Sequence, residues 1–211
     1  MKKLLLVGAL GLMLAGLTAP QAHAGGFTVT VTQQGTNVVS SGSGVIDLTG
    51  WSLVYSAADG GGACPDLYPQ APELGVGGNK LCDAFTPGDE YEGSTTGPAS
   101  FGPGPGASPN STSGDVFDFY GGGATSLLTV PAGYVSGEAL SDITTFDNTT
   151  LASIGAAPGS YVWTWGTGAN QSITVDVGGS SPNGVPEPSA LALFGAGLLG
   201  LSVLRRRRKA I

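Results

Sequence analysis

Phe27-Thr28-Val29-Thr30-Val31-Thr32-Gln33 alternates strictly between apolar and polar residues. In an extended chain Phe27, Val29 and Val31 share one side and the three threonines the other, as in a strand with one buried face. Ser172-Ile173-Thr174-Val175-Asp176-Val177 repeats the pattern far downstream, with Ile173, Val175 and Val177 on the apolar side. Between these segments, residues 44–48, 51–56, 115–120, 126–130, 134–140 and 161–165 are short runs of strand character. Turn signals such as Asp59-Gly60-Gly61-Gly62, Gly77-Gly78 and Pro158-Gly159 separate them. No 3.6-residue period is sustained in the body, and residues 150–154 suggest a single helical turn. The pattern predicts an all-β fold: one antiparallel β-sandwich or jelly-roll-like domain. Residues 97–114, with Pro98, Pro103, Pro105 and Pro109, are expected to form an exposed loop without regular structure.

Composition narrows the chemistry. The 211 residues include 37 glycines and 14 prolines, close to a low-complexity level. Seven of the eight basic residues lie at the two ends, leaving only Lys80 for the middle. Residues 25–185 hold fourteen of the fifteen carboxylates, no arginine and no histidine. Such a body repels nucleic-acid phosphates. It also lacks the imidazole needed for a Ser-His-Asp or Cys-His arrangement and for a His/Cys zinc site. No metal ligand set, cofactor or catalytic residue is assigned. Carboxylate chemistry and oxygen-ligand calcium binding are what remain, although the EF-hand spacing is absent.

The ends read as addresses. Met1-Lys2-Lys3, the apolar run 4–17, a break at 18–21 and Ala22-His23-Ala24 have the layout of a signal peptide. Cleavage by signal peptidase is expected after Ala24, which makes Gly25 the new N-terminus of a Gly-rich, acidic exported domain over 25–177. Residues 178–184 are a turn-rich linker. Val185-Pro186-Glu187-Pro188 follows, then a membrane helix expected over about 189–204, then a basic tail at 205–209. The fifteen apolar residues 190–204 span roughly 22 Å as a helix, short of the ~30 Å hydrocarbon core. The abrupt cluster Arg205, Arg206, Arg207, Arg208 nevertheless argues for a cytoplasmic stop.

This order of parts resembles the PEP-CTERM sorting signal of exported bacterial proteins, a segment also catalogued as the ice-binding protein C-terminal domain. The resemblance implies sorting by exosortase, an inner-membrane transpeptidase. Pro186, Glu187 and Pro188 would be recognised, the apolar helix would be a transient anchor, and Arg205–Arg208 would retain the end inside. It also implies delivery to the cell surface or extracellular matrix, with exopolysaccharide as a partner. Residues 146–177 resemble a stretch that precedes this signal in some such proteins, with no activity attached to it.

The remaining candidates lie in the body. Cys64 and Cys82, an even pair in an exported segment, suggest one disulfide. Tyr161, Trp163 and Trp165 share a strand face, as sandwich core or alternatively as a sugar-stacking platform. Asp89-Glu90-x-Glu92 and Asp115-Val116-Phe117-Asp118 are acidic clusters that read first as solvated faces. The expected function is that of an exported, non-catalytic surface or matrix protein. A carbohydrate-active enzyme or binding module using Asp/Glu and aromatics is the alternative. A binder of ice or another ordered surface, suggested by Thr28, Thr30 and Thr32, is the third.

Overall fold

The computed structural model describes residues 26–79 and 85–178. The expected signal peptide at 1–24, Gly25, Lys80, Cys82, the expected linker beyond 178 and the expected C-terminal membrane helix and basic tail lie outside the described residues. Among the described residues, no helix is long and apolar enough to cross a membrane.

The described residues form two β-sheets. The strands are β1 Phe27–Gln34, β2 Asn37–Val45, β3 Ser52–Tyr55, β4 Gly62–Ala63, β5 Leu67–Tyr68, β6 Glu73–Val76, β7 Thr86–Gly93, β8 Ser111–Gly114, β9 Phe117–Tyr120, β10 Ser126–Pro131, β11 Ala139–Phe146, β12 Gly159–Thr164 and β13 Ser172–Val177. The first sheet runs β12-β13-β1-β2-β11-β8, and the second β3-β7-β10-β9-β6-β5, with β4 also pairing with β7. Every pair is antiparallel except one. Strand β1 lies parallel to β13, with Phe27 opposite Ile173 and Val31 opposite Val177. The two most regular alternations in the sequence are thus neighbours at the middle of one sheet.

The inner faces meet as the alternation demands. Phe27, Val29 and Val31 of β1 and Ile173, Val175 and Val177 of β13 are buried, as are Phe117 and Phe119 of β9 and Leu128 and Val130 of β10. The Phe27 ring stacks on Phe117 at 4.2 Å between centroids, joining the sheets directly. One helix, α1 Leu151–Ile154, closes a corner. Its capping box at Thr150 and Ser153 satisfies the free amides of the first turn, and Gly155 ends it in the left-handed region.

Several expectations need correction. Of the strand expected over 134–140, only Ala139 and Leu140 are strand: Tyr134 is a buried turn residue whose hydroxyl accepts from Ile46 N at 3.0 Å and donates to Glu138 O at 2.7 Å. The strand there is β11, whose inward positions include Asp142 and Thr144 and so disguise the apolar alternation. Strands β2 and β7 also escaped the pattern, because β2 turns small residues inward and β7 is rich in charge. Residues 97–110 are without regular structure and mostly exposed or half-buried, as expected, yet the segment is pinned to the body rather than free. Phe101 is 1% exposed, its amide donates to Pro69 O at 2.9 Å, and Gly104 N and Gly106 N donate to Gly155 O and Ile154 O. The segment ends in β8, on the edge of the first sheet.

Trp163 is the aromatic hub on β12. It is 1% exposed, meets Phe119 edge-on at 5.6 Å and Phe101 at 6.4 Å, and donates from Nε1 to Pro98 O at 2.9 Å. Replacing it by alanine removes the ring that ties the 97–114 segment to both sheets and takes the indole donor from the part-buried Pro98 carbonyl. Trp163→Ala is expected to cost about 3–5 kcal/mol, read as a lower midpoint in urea unfolding.

Candidate functional site

With the inner faces committed to packing, the chemistry lies on the outer ones. In the second sheet, Gly75, Asp118, Thr129 and Glu90 form one row across β6, β9, β10 and β7. Glu73, Tyr120, Leu127 and Glu92 form the adjacent row. Side chains two residues apart share a face, so both rows stand on the side opposite Phe117, Phe119 and Leu128. Glu73, Glu90, Asp118, Tyr120, Leu127 and Thr129, with Gly62 of β4, line a pocket of about 320 Å³.

A covering segment completes this pocket. Strand β4 pairs with the β7 edge at Gly62 and Ala63, and residues Cys64–Asp66 then lie over Gly75 of β6. A Cβ at Gly75 would collide with the Cys64 carbonyl and stand 2.9 Å from Asp66 N, so glycine is what permits the approach. Gly75 N donates to Asp66 O at 2.7 Å, securing the crossing. This brings a fourth carboxyl, Asp66, beside the pocket.

Among the described residues, which include no lysine, arginine or histidine, the four carboxyls have no cationic partner. Asp66 is 8% exposed, and its Oδ1 is buried without a hydrogen bond. Burial, reinforced by Glu73, pushes its carboxyl up to about 7. Asp118 Oδ1 is likewise enclosed and unpartnered. Burial, then the charges of Asp66, Glu73 and Glu90, holds Asp118 well above the ordinary carboxylate range. Burial raises Glu73 as well. Burial thus favours the protonated form of Asp118 over that of an ordinary aspartate, and in that form the carboxyl can donate a hydrogen bond.

A further buried carboxyl, Asp142, stands on the inward face of β11. Its Oδ1 accepts from Gly42 N at 2.8 Å, its Oδ2 has no partner, and burial raises it to about 7 despite that bond, with Asp115 adding to the rise.

The residues singled out from sequence divide accordingly. Glu90 and Asp118, from different acidic clusters, meet across Thr129. Their cluster mates do not join them: Asp89 accepts from Ala57 N and Gly133 N, and Asp115 accepts from Ser141 N. Asp66 and Glu73 gave no sequence signal, because each is isolated in the chain and only the folded-over segment brings it close. Tyr161, Trp163 and Trp165 do not form an open platform. Trp163 is buried, Tyr161 tilts against Phe101 at 6.1 Å, and Trp165 packs edge-on against Trp51 at 5.5 Å with its Nε1 bonded to Asp47 O. These aromatics supply apolar area to the core, which outweighs any stacking on solvent-side sugar. Cys64 is half-buried, its sulfur 3.6 Å from Asp66 Oδ2.

The threonines of β1 belong to a wider array. Thr28 stands in a row with Thr174 of β13, Ser43 of β2 and Ser141 of β11, and Thr30 in a row with Asp176, Ser41 and Ile143. This outer face of the first sheet is rich in hydroxyls and nearly uncharged. Thr32 is set apart from it, 7% exposed and bonded to Val39 O.

The raised carboxyls dictate a pH dependence. An unfolded Asp ionises near 3.8, whereas folded Asp66 and Asp142 hold their protons up to about 7. The stability they contribute is therefore complete below the unfolded value and lost as pH rises through about 7. Urea unfolding is expected to show falling stability between pH ~4 and ~8, with a shallower fall in Asp66→Asn and in Asp142→Asn. The asparagine at 142 can keep the acceptor for Gly42 N.

Residues 184–209 match the family model described as the PEP-CTERM protein-sorting motif. No curated protein and no solved structure matches the chain. The match covers Val185, Pro186, Glu187, Pro188 and the four arginines, so the sorting resemblance rests on a family as well as on the order of parts. The chain carries, at residues 184–209, the PEP-CTERM motif of an exported, cell-surface protein that exosortase processes.

Proposed function

We propose that the protein is a non-catalytic component of the cell surface or extracellular matrix, delivered there by its sorting motif and associated with exopolysaccharide. The motif at 184–209 is the observation that carries this reading. The acidic body supports it, since residues 25–185 contain neither histidine nor arginine for general base or phosphate chemistry. In this reading signal peptidase removes residues 1–24. The apolar helix at about 189–204 then holds the body outside the inner membrane, with Arg205–Lys209 in the cytoplasm. Exosortase reads Pro186-Glu187-Pro188 and severs the chain nearby. The prolines keep the peptide extended and stop helix from propagating into it. Cys64 and Cys82 join in the oxidising compartment. Replacing Pro186, Glu187 and Pro188 together by alanine is expected to leave export intact and trap full-length protein in the membrane fraction. Normal loss of the tail and normal surface delivery in that variant would defeat the sorting reading.

Two other readings have an observation each. The carboxyl-lined pocket favours a carbohydrate-active role, with Asp118 as proton donor. The hydroxyl rows of the first sheet favour attachment to an ordered surface such as ice. Hydrolysis of a polysaccharide panel that Asp118→Asn abolishes would support the former, and thermal hysteresis the latter. The non-catalytic matrix reading predicts neither activity.

A further inference from the structure

We propose that the open edge of β3 docks an extended polypeptide segment in which basic and apolar side chains alternate. The inference does not depend on how the protein is sorted. Each sheet ends in two edge strands, and the fold treats the four differently. Strand β5 is bridged at Leu67 by Ala107, and β12 at Thr164 by Thr96, so connecting segments cover both. Strand β8 consists of serine, threonine and glycine alone. Strand β3 is the apolar edge left open: among the described residues it pairs with β7 and with no other strand. All four of its residues are exposed, Leu53 and Tyr55 at 54% and Val54 at 44%. An apolar edge exposed on both faces is a ready template for a further strand, which folds ordinarily cover or blunt.

The rows that end at this edge specify the partner. On the core side, Leu74, Phe119, Leu128 and Tyr91 stand in one row whose last member is Leu53. Leu74, Phe119 and Leu128 are buried, so an apolar side chain set beside Leu53 extends a row that already belongs to the core. On the other side the row ends with Glu92 and then Ser52. A side chain facing Ser52 from an added strand stands two strand spacings, about 9.6 Å, from Glu92. A lysine stem and the Glu92 side chain together span that gap over the small serine. Successive residues of a strand point to opposite faces, so the docked segment alternates basic and apolar. Strand addition of this kind takes affinity from main-chain hydrogen bonds and specificity from alternate side chains.

A second copy of the chain is the poorer occupant. Its edge brings the same carboxylates, and no lysine, arginine or histidine occurs among the described residues to offset them. It also brings the same irregularity: the register of β3 on β7 shifts between Leu53 and Tyr55, which bends the edge. Two edges bent alike pair poorly, whereas a flexible segment follows the bend as it docks.

Fluorescence anisotropy with the full-length protein in detergent tests the proposal, at about 0.15 M salt to screen diffuse attraction to the acidic body. The probe is a short labelled peptide of alternating lysine and valine. One comparison peptide has its valines replaced by proline, which keeps the charge and prevents strand pairing. Another has its lysines replaced by glutamate. The lysine–valine peptide is expected to bind at least about tenfold more tightly than either. Leu53→Asp is expected to weaken its binding at least about tenfold and Glu92→Gln about threefold, while Asp176→Asn on the first sheet leaves it unchanged. Leu53 and Glu92 are exposed, so both variants keep the urea midpoint of the parent. Leu53→Asp adds negative charge, so attraction by charge alone would rise in it. Binding unchanged or strengthened in Leu53→Asp, equal binding of the proline peptide, or tighter binding of the glutamate peptide would overturn the proposal. So would an absence of binding by the lysine–valine peptide. A dimer of the parent in sedimentation velocity that Leu53→Asp abolishes would also overturn it, by giving the edge to a second copy.

Discussion

The stack of Phe27 on Phe117 sets the geometry that the other parts follow. Phe27 belongs to β1 in the first sheet and Phe117 to β9 in the second, with ring centroids 4.2 Å apart. Two sheets can approach this closely only where the facing positions leave room. Strand β2 provides it with Gly42, where a Cβ would stand 2.6 Å from both Phe27 Cζ and Asp142 Oδ1. A side chain there would push Phe27 out of the interface and break the Gly42 N–Asp142 bond together. Glycine in mid-strand is ordinarily unfavourable, and here it is what lets an aromatic pair form the inter-sheet contact.

Once the inner faces are used for packing, function is left to the outer ones, and these differ in kind. The first sheet presents serine and threonine hydroxyls around Thr28 and Thr30, with little charge. The second presents Glu73, Glu90, Glu92 and Asp118 with no basic residue to offset them among the described residues. A carboxylate removed from water must find a donor, find a cation or keep its proton. Asp142 finds one donor in Gly42 N and retains a raised proton affinity. Asp66 and Asp118 find none for their inner oxygens. The body therefore holds buried carboxyls of raised proton affinity in and beside a defined pocket, not merely a diffuse acidic surface.

Parts of this were legible because they are local. The alternations at 27–33 and 172–177 depend on residues two apart, so β1 and β13 could be read with nearly correct boundaries, as could the capped turn at 150–154. The sorting motif is also linear: its prolines, Glu187 and arginines are recognised in order along the chain. Other parts were hidden because a residue's partner overrode its own preference. Phe101 sits among prolines and glycines that signal a loop, yet its burial against Tyr161 and Trp163 pins the segment down. Asp142 interrupts the apolar pattern of β11, since one backbone amide makes its burial tolerable. Asp66 and Glu73 look like ordinary surface acids until Gly75 lets residues 64–66 cross the sheet.

The sequence by itself determined the all-β character, the acidic and nearly base-free body and the C-terminal sorting address. Each follows from spacing along the chain or from composition, which folding cannot change. Only the tertiary structure decided that β1 and β13 lie parallel and that the Trp163 trio faces the core. It alone brought together Asp66, Glu73, Glu90 and Asp118, which strand pairing and one close crossing over Gly75 join from separate segments. Convergence of that kind depends on which backbones can approach one another, and no local pattern of side chains encodes it.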